Sequence, residues 1–300
     1  MDNLARAFYE MAYKVKYLEL KGNAFQDFFS DVMEKRYPGD FVRVRPWGNL
    51  GDKKNDGYLK STKTLFQVYA PNEMSAEKAI EKIREDFGEA IPFWNTHVKC
   101  WKFVHNAKNG LGPTVTKELL DLSLAHKEIE IASLGYEELH NEVFGLDDSD
   151  VAAILGLAPT QWHLLDVKFS DIHQVVQSIA AQAPPSIAPI QPVSKGKIEA
   201  NGLSDNVREL LSAGMSRAGQ VDRFFSNWHD PRYGDEVALA FNSRYVELRN
   251  TNIGADAIFF ELHKFAGGVQ RGSPAHEAAT LAVLAYFFEQ CDIFEAPRED

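Results

Sequence analysis

Two polar side chains, Asp56 and Gln67, stand out in the segment GDKKNDGYLKSTKTLFQVYAP, which spans residues 51–71. The segment begins as a turn rich in Gly, Asp and Asn and continues as a short apolar run with β-branched and aromatic members, which predicts strands. A valine or leucine would pack better than Gln67 on a strand that enters a core. Alternation places Gln67 and Tyr69 on one face of this strand, with Phe66 and Val68 on the other. We therefore expect the strand face that carries Gln67 to line a functional site.

Basic residues surround this segment, although the chain as a whole is acidic. The 300 residues carry a formal net charge of −11, which argues against general coating of nucleic acid. Between residues 35 and 63, however, the chain has eight basic residues and only three acidic ones. An acidic protein with one basic stretch could hold a polyanion there and repel it elsewhere. A solvated loop face explains the same charges equally well.

The elements that must position Asp56 and Gln67 follow from hydrophobic periodicity. The pattern predicts two helices, residues 4–20 and 24–35, and then a meander of three strands, DFVRVRP, DGYLKS and TLFQVYA. A helix (residues 75–91), a strand (HVKCWKFVHNA), a helix (VTKELLDLSLAH) and a strand (EIEIASLG) follow. A meander followed by a βαβ unit predicts an α/β fold with a mixed central sheet flanked by helices.

Composition divides the chain into three regions. Residues 1–182 alternate helical and strand patterns, residues 183–200 are rich in Pro, Ser and Ala and predict an extended linker, and residues 201–300 are helical. The last helix begins at Pro274 and is apolar nearly all round, which is typical of the centre of a bundle or of an oligomer interface. No run of residues is long and apolar enough to cross a membrane, and the two cysteines lie far apart, so we expect a cytoplasmic protein.

The order of elements, with Asp56 and Gln67, resembles the restriction-endonuclease-like superfamily, whose motif is PD-(D/E)xK, and its Mrr-like and Cap-type branches. Asp56 in NDGY matches the first acid of that motif, and Gln67 in FQVYA matches its second position. Tyr69 stands where the superfamily usually has lysine, and the first-helix position offers Gln26 and Asp27 in place of a clear glutamate. The residues that could supply the missing charge from a neighbouring element are Lys60, Lys63, Lys78 and Lys82.

This resemblance implies a DNA endonuclease that uses Mg²⁺ or Mn²⁺. Phosphodiester hydrolysis requires a hard cation, held by oxygen ligands that leave room for the phosphate and a water. Asp56 and Gln67 would hold this metal, joined by Asp52 if that residue is more than a turn residue. Tyr69 or a nearby lysine would contact the water or the phosphate, and Gln26 would take the first-helix position. The residues expected to contact double-stranded DNA are Arg45, Lys53, Lys54 and Lys60.

The C-terminal region resembles the C-terminal modules of ABC-type three-component systems of bacterial defence, of which Lamassu is the best-known member. The stretches GDEVALAFNSRYVEL and AVLAYFFEQCDIFEAP carry this resemblance. It implies that the helical region binds an SMC-like ABC ATPase and a small middle component, and that the N-terminal effector forms a homo-oligomer when active. The linker would let the effector reorient while the C-terminal region stays docked.

Three functions remain open from the sequence. The first is the effector subunit of an anti-phage or anti-plasmid system, which cuts double-stranded DNA. The second is an adaptor or sensor whose nuclease-like domain has lost its chemistry, and Tyr69 favours this alternative. The third is a toxin that acts on another target, because a fold does not fix a chemistry.

Overall fold

The computed structural model describes residues 1–45, 54–180, 197–230, 232–268, 273–290 and 293–294. The chain divides into two compact units, one formed by Tyr13–Ile154 and the other by Met1–Ala12 together with Leu155–Asp300. Asp52 and Lys53 lie outside the described residues, as do positions 183–196 of the predicted linker.

The N-terminal elements follow the predicted order of two helices, a meander, and alternating helices and strands. They are α1 (Asn3–Glu19), α2 (Gly22–Arg36), β1 (Phe41–Arg43), β2 (Gly57–Leu59), β3 (Thr64–Tyr69), α3 (Ala76–Trp94), β4 (Cys100–His105), α4 (Pro113–Ala125), β5 (Glu130–Leu134), α5 (Tyr136–Phe144) and α6 (Asp148–Leu155). The five strands form one sheet in the order β1-β2-β3-β4-β5. The pairs β1–β2 and β2–β3 are antiparallel, while β3–β4 and β4–β5 are parallel. The predicted mixed sheet is therefore confirmed.

The two faces of β3 have different surroundings. Phe66 packs against Phe29 of α2 and Phe41 of β1, with ring centroids 5.4 and 6.0 Å apart. Leu65, on the opposite face, joins a buried apolar cluster that includes Ile83 of α3. Alternation along the strand places Gln67 on the same face as Leu65. The glutamine thus belongs to the face that α3 covers.

The C-terminal part of the chain is helical in its described residues. Its helices are α7 (Gln161–Leu165), α8 (Phe169–Ala180), α9 (Lys197–Ala200), α10 (Asp205–Met215), α11 (Ala218–Ser226), α12 (Tyr233–Asn250), α13 (Ala255–Phe265) and α14 (Pro274–Glu289). Helix α14 is buried along most of its length and packs against α7, α8, α10, α11 and α13. It begins at Pro274 as predicted, and it is the centre of the helical bundle. In the part of the chain that the structure describes, no helix combines the length and apolar character needed to span a membrane.

The bundle includes residues that the sequence pattern placed elsewhere. Helix α8, predicted as part of the first domain, packs against α11, α12 and α14 through a buried apolar stripe. Lys197, predicted in the linker, is buried, and its ammonium donates to the carbonyl oxygens of Phe288 (2.9 Å) and Ile293 (2.5 Å). The compact helical unit therefore begins before residue 182, and residues 197–200 are part of it.

Helices α10 and α14 approach each other through their backbones. A Cβ atom added to Gly214 would overlap the carbonyl oxygen of Leu281 and lie 2.9 Å from the Cβ of Ala285. Only a glycine fits at this position of α10 without moving α14. Gly214 and the small Ala285 of α14 therefore allow the two helices to pack closely.

Candidate functional site

Asp56 lies directly before β2, and its side chain connects three elements. The residue is only 5% exposed. Its carboxylate Oδ1 accepts a hydrogen bond from the amide of Gln26 on α2 (2.5 Å), and Oδ2 accepts the backbone N–H of Val68 (2.6 Å). The backbone N–H of Asp56 donates to the carbonyl oxygen of Phe66 (2.9 Å). Asp56 thus bonds to the β3 residues on either side of Gln67 and to Gln26 of α2, which packs on the Phe66 face of the sheet, whereas Gln67 lies on the face that α3 covers.

Gln67 is buried to the same extent as Asp56, at 5% exposure, but its amide oxygen is not satisfied. Oε1 has no hydrogen-bond partner among the described residues. A buried acceptor without a donor costs about 1–3 kcal/mol. An amide oxygen is also a suitable ligand for a hard cation. The residue types at this position therefore fit a divalent metal, with Gln67 offering an oxygen that no protein donor uses.

The ligand set is incomplete within the described residues. They contain no group of three or more His, Cys, Asp or Glu side chains that could hold a metal. Asp52, the predicted third ligand, lies outside them. Both carboxylate oxygens of Asp56 accept hydrogen bonds, so at least one lone pair of each oxygen is already used.

A tight turn sets the position of Asp56. Asn55 is fully buried, and its Oδ1 accepts the backbone N–H of Gly57 at 3.0 Å, which is the geometry of an Asx turn. A Cβ atom on Gly57 would overlap the ring of Phe41. The absence of a side chain at Gly57 therefore lets the Phe41 ring of β1 lie against the backbone of β2, immediately beside the carboxylate.

A buried carboxylate that the sequence analysis missed lies on α3. Asp86 is fully buried, and its Oδ1 is 2.8 Å from the ammonium of Lys82 and 3.3 Å from that of Lys54. Its Oδ2 has no hydrogen-bond partner in the described part of the chain. Asp86 follows Ala79 by seven residues and Ile83 by three, so it occupies an apolar position of the helix. An acidic residue at an apolar position of a helical pattern is the sequence feature by which Asp86 could have been found.

The pKa values of Asp86 and Lys54 each depend on the charge of the other residue. Burial raises the pKa of Asp86, and its contacts with Lys82 and Lys54 offset part of this effect. Partial burial lowers the pKa of Lys54, but its hydrogen bond to Glu85 and the charge of Asp86 outweigh the burial and raise it. Lys54 therefore keeps its positive charge two residues before Asp56.

Two of the basic residues predicted to contact DNA are paired with acidic side chains. The guanidinium of Arg45 pairs with Asp27 of α2. Lys54 pairs with Glu85 of α3. Lys60 is exposed, whereas Lys53 lies outside the described residues. The local excess of positive charge is consequently smaller than the sequence count indicates.

Tyr69 and His105 pair across β3 and β4 at the same end of the sheet. The half-buried Tyr69 ring lies 5.8 Å from that of Phe103 and contributes to the apolar cluster. Burial lowers the pKa of His105 to about 4, and its Nδ1 accepts the backbone N–H of Ala107 at 3.2 Å. At neutral pH His105 is therefore an uncharged, buried acceptor.

Comparison with known proteins identifies the C-terminal part of the chain. Residues 170–295 match the family described as C-terminal domain 10 of the ABC-three component (ABC-3C) systems. No curated protein and no solved structure matches the chain. The matched span contains helices α9 to α14 and nearly all of α8. It includes the first of the two stretches that carry the resemblance and the second as far as residue 295. Residues 170–295 are thus similar to a C-terminal domain of the ABC-3C systems.

Proposed function

We propose that this chain is the effector subunit of an ABC-three component system of bacterial defence, and that its N-terminal α/β part is a metal-dependent endonuclease of double-stranded DNA. The match of residues 170–295 supports a place in such a system. The nuclease assignment depends on one observation. Asp56 binds β3 on both sides of Gln67, and the buried Gln67 Oε1 has no hydrogen-bond partner among the described residues.

The candidate site residues have distinct roles in the proposed cleavage reaction. Mg²⁺ or Mn²⁺, when bound, supplies the charge that activates a water and stabilises the phosphate in the transition state. Asp56 and Gln67 offer oxygen ligands, and Gln26 orients the carboxylate of Asp56 through its 2.5 Å hydrogen bond. Lys54, whose ammonium lies 3.3 Å from Asp86, supplies the positive charge that the superfamily's lysine would supply at the position of Tyr69.

The C-terminal domain provides the link to other components of the system. We propose that it binds an SMC-like ABC ATPase and a small middle component, and that the effector forms a homo-oligomer when active. Residues 183–196 have the composition of a linker and would let the nuclease part reach double-stranded DNA while the C-terminal domain stays bound.

Plasmid cleavage tests the nuclease assignment. The purified chain, alone and with its partner components, is incubated with supercoiled plasmid and Mg²⁺ or Mn²⁺. We expect Asp56→Ala and Gln67→Ala each to reduce cleavage at least 100-fold, since metal ligands contribute several kcal/mol to the transition state. Asp121→Asn, a change to an exposed acid of α4 that pairs with Lys117, is the control and should cleave normally. Cleavage that persists unchanged in Asp56→Ala would exclude this site.

A catalytically inactive adaptor is the second candidate. The packing of Tyr69 in the apolar cluster and the pairing of Arg45 and Lys54 with acids favour it. In this case the domain binds DNA or partner proteins without cutting. Undiminished protection of cells against phage by an Asp56→Ala/Gln67→Ala double variant would support the adaptor over the nuclease.

A further inference from the structure

The C-terminal helices contain a cavity of about 350 Å³. It lies between α11, the start of α12 and the end of α14. Its aromatic lining includes Phe225, Trp228 and Tyr286, and its carboxylates are Asp222 and Asp235. All these residues belong to the matched domain.

Aromatic rings in and beside the cavity are in contact with one another. The rings of Phe225 and Tyr286 have centroids 5.7 Å apart at an interplanar angle of 32°. The Trp228 ring stacks on Tyr233, with centroids 5.2 Å apart and an angle of 20°. Phe225, Trp228 and Tyr286 are only partly buried, so ring surface remains accessible to a ligand.

The two carboxylates lie on different helices that border the cavity. Asp222, on α11, is exposed, and its Oδ1 accepts a long hydrogen bond of 3.4 Å from the hydroxyl of Tyr286. Asp235 is exposed in the first turn of α12. Neither carboxylate is buried, so both are available to a group that enters the cavity.

Aromatic faces combined with carboxylates select a cation. The face of an aromatic ring attracts an ammonium or guanidinium group, and a carboxylate adds a charge-assisted hydrogen bond. An anion would be repelled by Asp222 and Asp235, and a neutral apolar group would gain no attraction from either carboxylate. The cavity volume is at the small end of ligand sites, which suits a single side chain.

We propose that this cavity binds an arginine side chain of a partner protein in the ABC-3C assembly. Arginine fits better than lysine because its planar guanidinium stacks on aromatic rings and binds carboxylates with two parallel hydrogen bonds. The choice of a partner protein rests on the proposed function of the C-terminal domain. The preference for a cation rests on the residues of the cavity alone.

Fluorine NMR of the full chain labelled with fluorotryptophan tests this proposal. The signal of Trp228 is assigned by its loss in Trp228→Phe, and the protein is titrated with N-acetyl-arginine amide. N-acetyl-citrulline amide, which has nearly the same shape without the charge, is the control ligand. We expect a saturable shift of the Trp228 signal with the arginine probe, and at least tenfold weaker binding of the citrulline probe.

Matched variants locate the binding. Asp222→Asn/Asp235→Asn should weaken binding of the arginine probe at least tenfold. Glu236→Gln removes one negative charge from the same helical turn as Asp235, outside the cavity lining, and should leave the affinity unchanged.

Three outcomes would overturn the proposal. They are equal binding of the two probes, full affinity in the double variant, and tighter binding of spermidine than of the arginine probe, which would assign the cavity to a polyamine. None of these measurements uses DNA, metal or cleavage. A failure of the nuclease assignment therefore cannot be mistaken for a failure of this one.

Discussion

The side-chain amide of Gln26 donates a 2.5 Å hydrogen bond to Oδ1 of Asp56, which joins α2 to the start of β2. The other oxygen of the same carboxylate is held by the backbone of Val68 on β3. Two elements that are distant in sequence therefore fix the orientation of one buried acid.

Replacement of Gln26 by leucine should destabilise the fold. The change removes a donor from a buried carboxylate, which costs about 1–3 kcal/mol in the free energy of unfolding. Urea unfolding measures this loss, with Gln161→Leu, a change to an exposed residue of α7, as the control expected to stay within about 0.5 kcal/mol. An unchanged unfolding midpoint for Gln26→Leu would show that the bond contributes nothing.

Replacement of Gln67 by leucine should have the opposite effect on stability. Leucine has a similar size and removes the buried oxygen that lacks a partner, so we expect a gain of about 1–2 kcal/mol in the free energy of unfolding. The same variant should lose plasmid cleavage if Gln67 is a metal ligand. A variant that is both less stable and fully active would contradict this account of the residue.

Stability should fall as the pH falls through the range in which His105 titrates. Burial lowers the pKa of His105 to about 4, so between that value and the ordinary pKa near 6.5 the unfolded chain binds the proton more tightly. The stabilisation is fully present above about pH 6.5 and is lost progressively down to about pH 4, with a total effect on the order of 3 kcal/mol.

The variant His105→Gln isolates this contribution. Urea unfolding at several pH values between 4 and 7.5 should give a shallower loss of stability for the variant than for the unchanged chain. Parallel curves for the two proteins would assign the pH dependence to other groups.

Two glycines of neighbouring helices should respond to alanine in opposite directions. Gly214→Ala places a Cβ against the carbonyl of Leu281, and because backbone cannot yield easily we expect a loss of about 1–3 kcal/mol. Gly219→Ala, in α11, places its Cβ where no atom lies within 4 Å, and the higher helix propensity of alanine should stabilise by about 0.5–1 kcal/mol. Thermal unfolding of both variants measures the contrast, and equal midpoints would contradict the close approach.

Individual basic residues should contribute unequally to DNA binding. Lys60 is exposed, whereas the guanidinium of Arg45 is paired with Asp27. We expect Lys60→Ala to reduce the slope of log affinity against log salt by about one, and Arg45→Ala to change it less. Fluorescence anisotropy with a double-stranded oligonucleotide at several salt concentrations measures both slopes. A larger effect of Arg45→Ala would show that its pair with Asp27 opens when DNA binds.

Periodicity was sufficient to predict most helices and strands and the mixed character of the sheet. The 3.6-residue spacing of apolar side chains marks α3, and the alternation in β3 puts Gln67 and Phe66 on opposite faces of the strand. These features are local, so a single sequence contains them. The sequence pattern did not specify which unit α8 packs against.

The electrostatics of the candidate site could not be predicted in the same way. Arg45 pairs with Asp27 across 18 residues, and Lys54 pairs with Glu85 across 31. Both pairs form because the fold places a strand or turn beside a helix, and nothing in the sequence pattern selects those partners. The predicted basic excess counted the cations of the stretch without the acids that fold against them.

The contact of Gly214 with the carbonyl of Leu281 limits how the helical domain can move. A slide of α10 by one turn, about 5.4 Å, would bring Leu210 or Leu211 opposite that carbonyl, where even a methyl group does not fit. The two helices can tilt or move together, but α10 cannot slide along α14 by this one-turn step. A mechanical signal passing through this domain would therefore be transmitted as a rigid-body rotation of the pair.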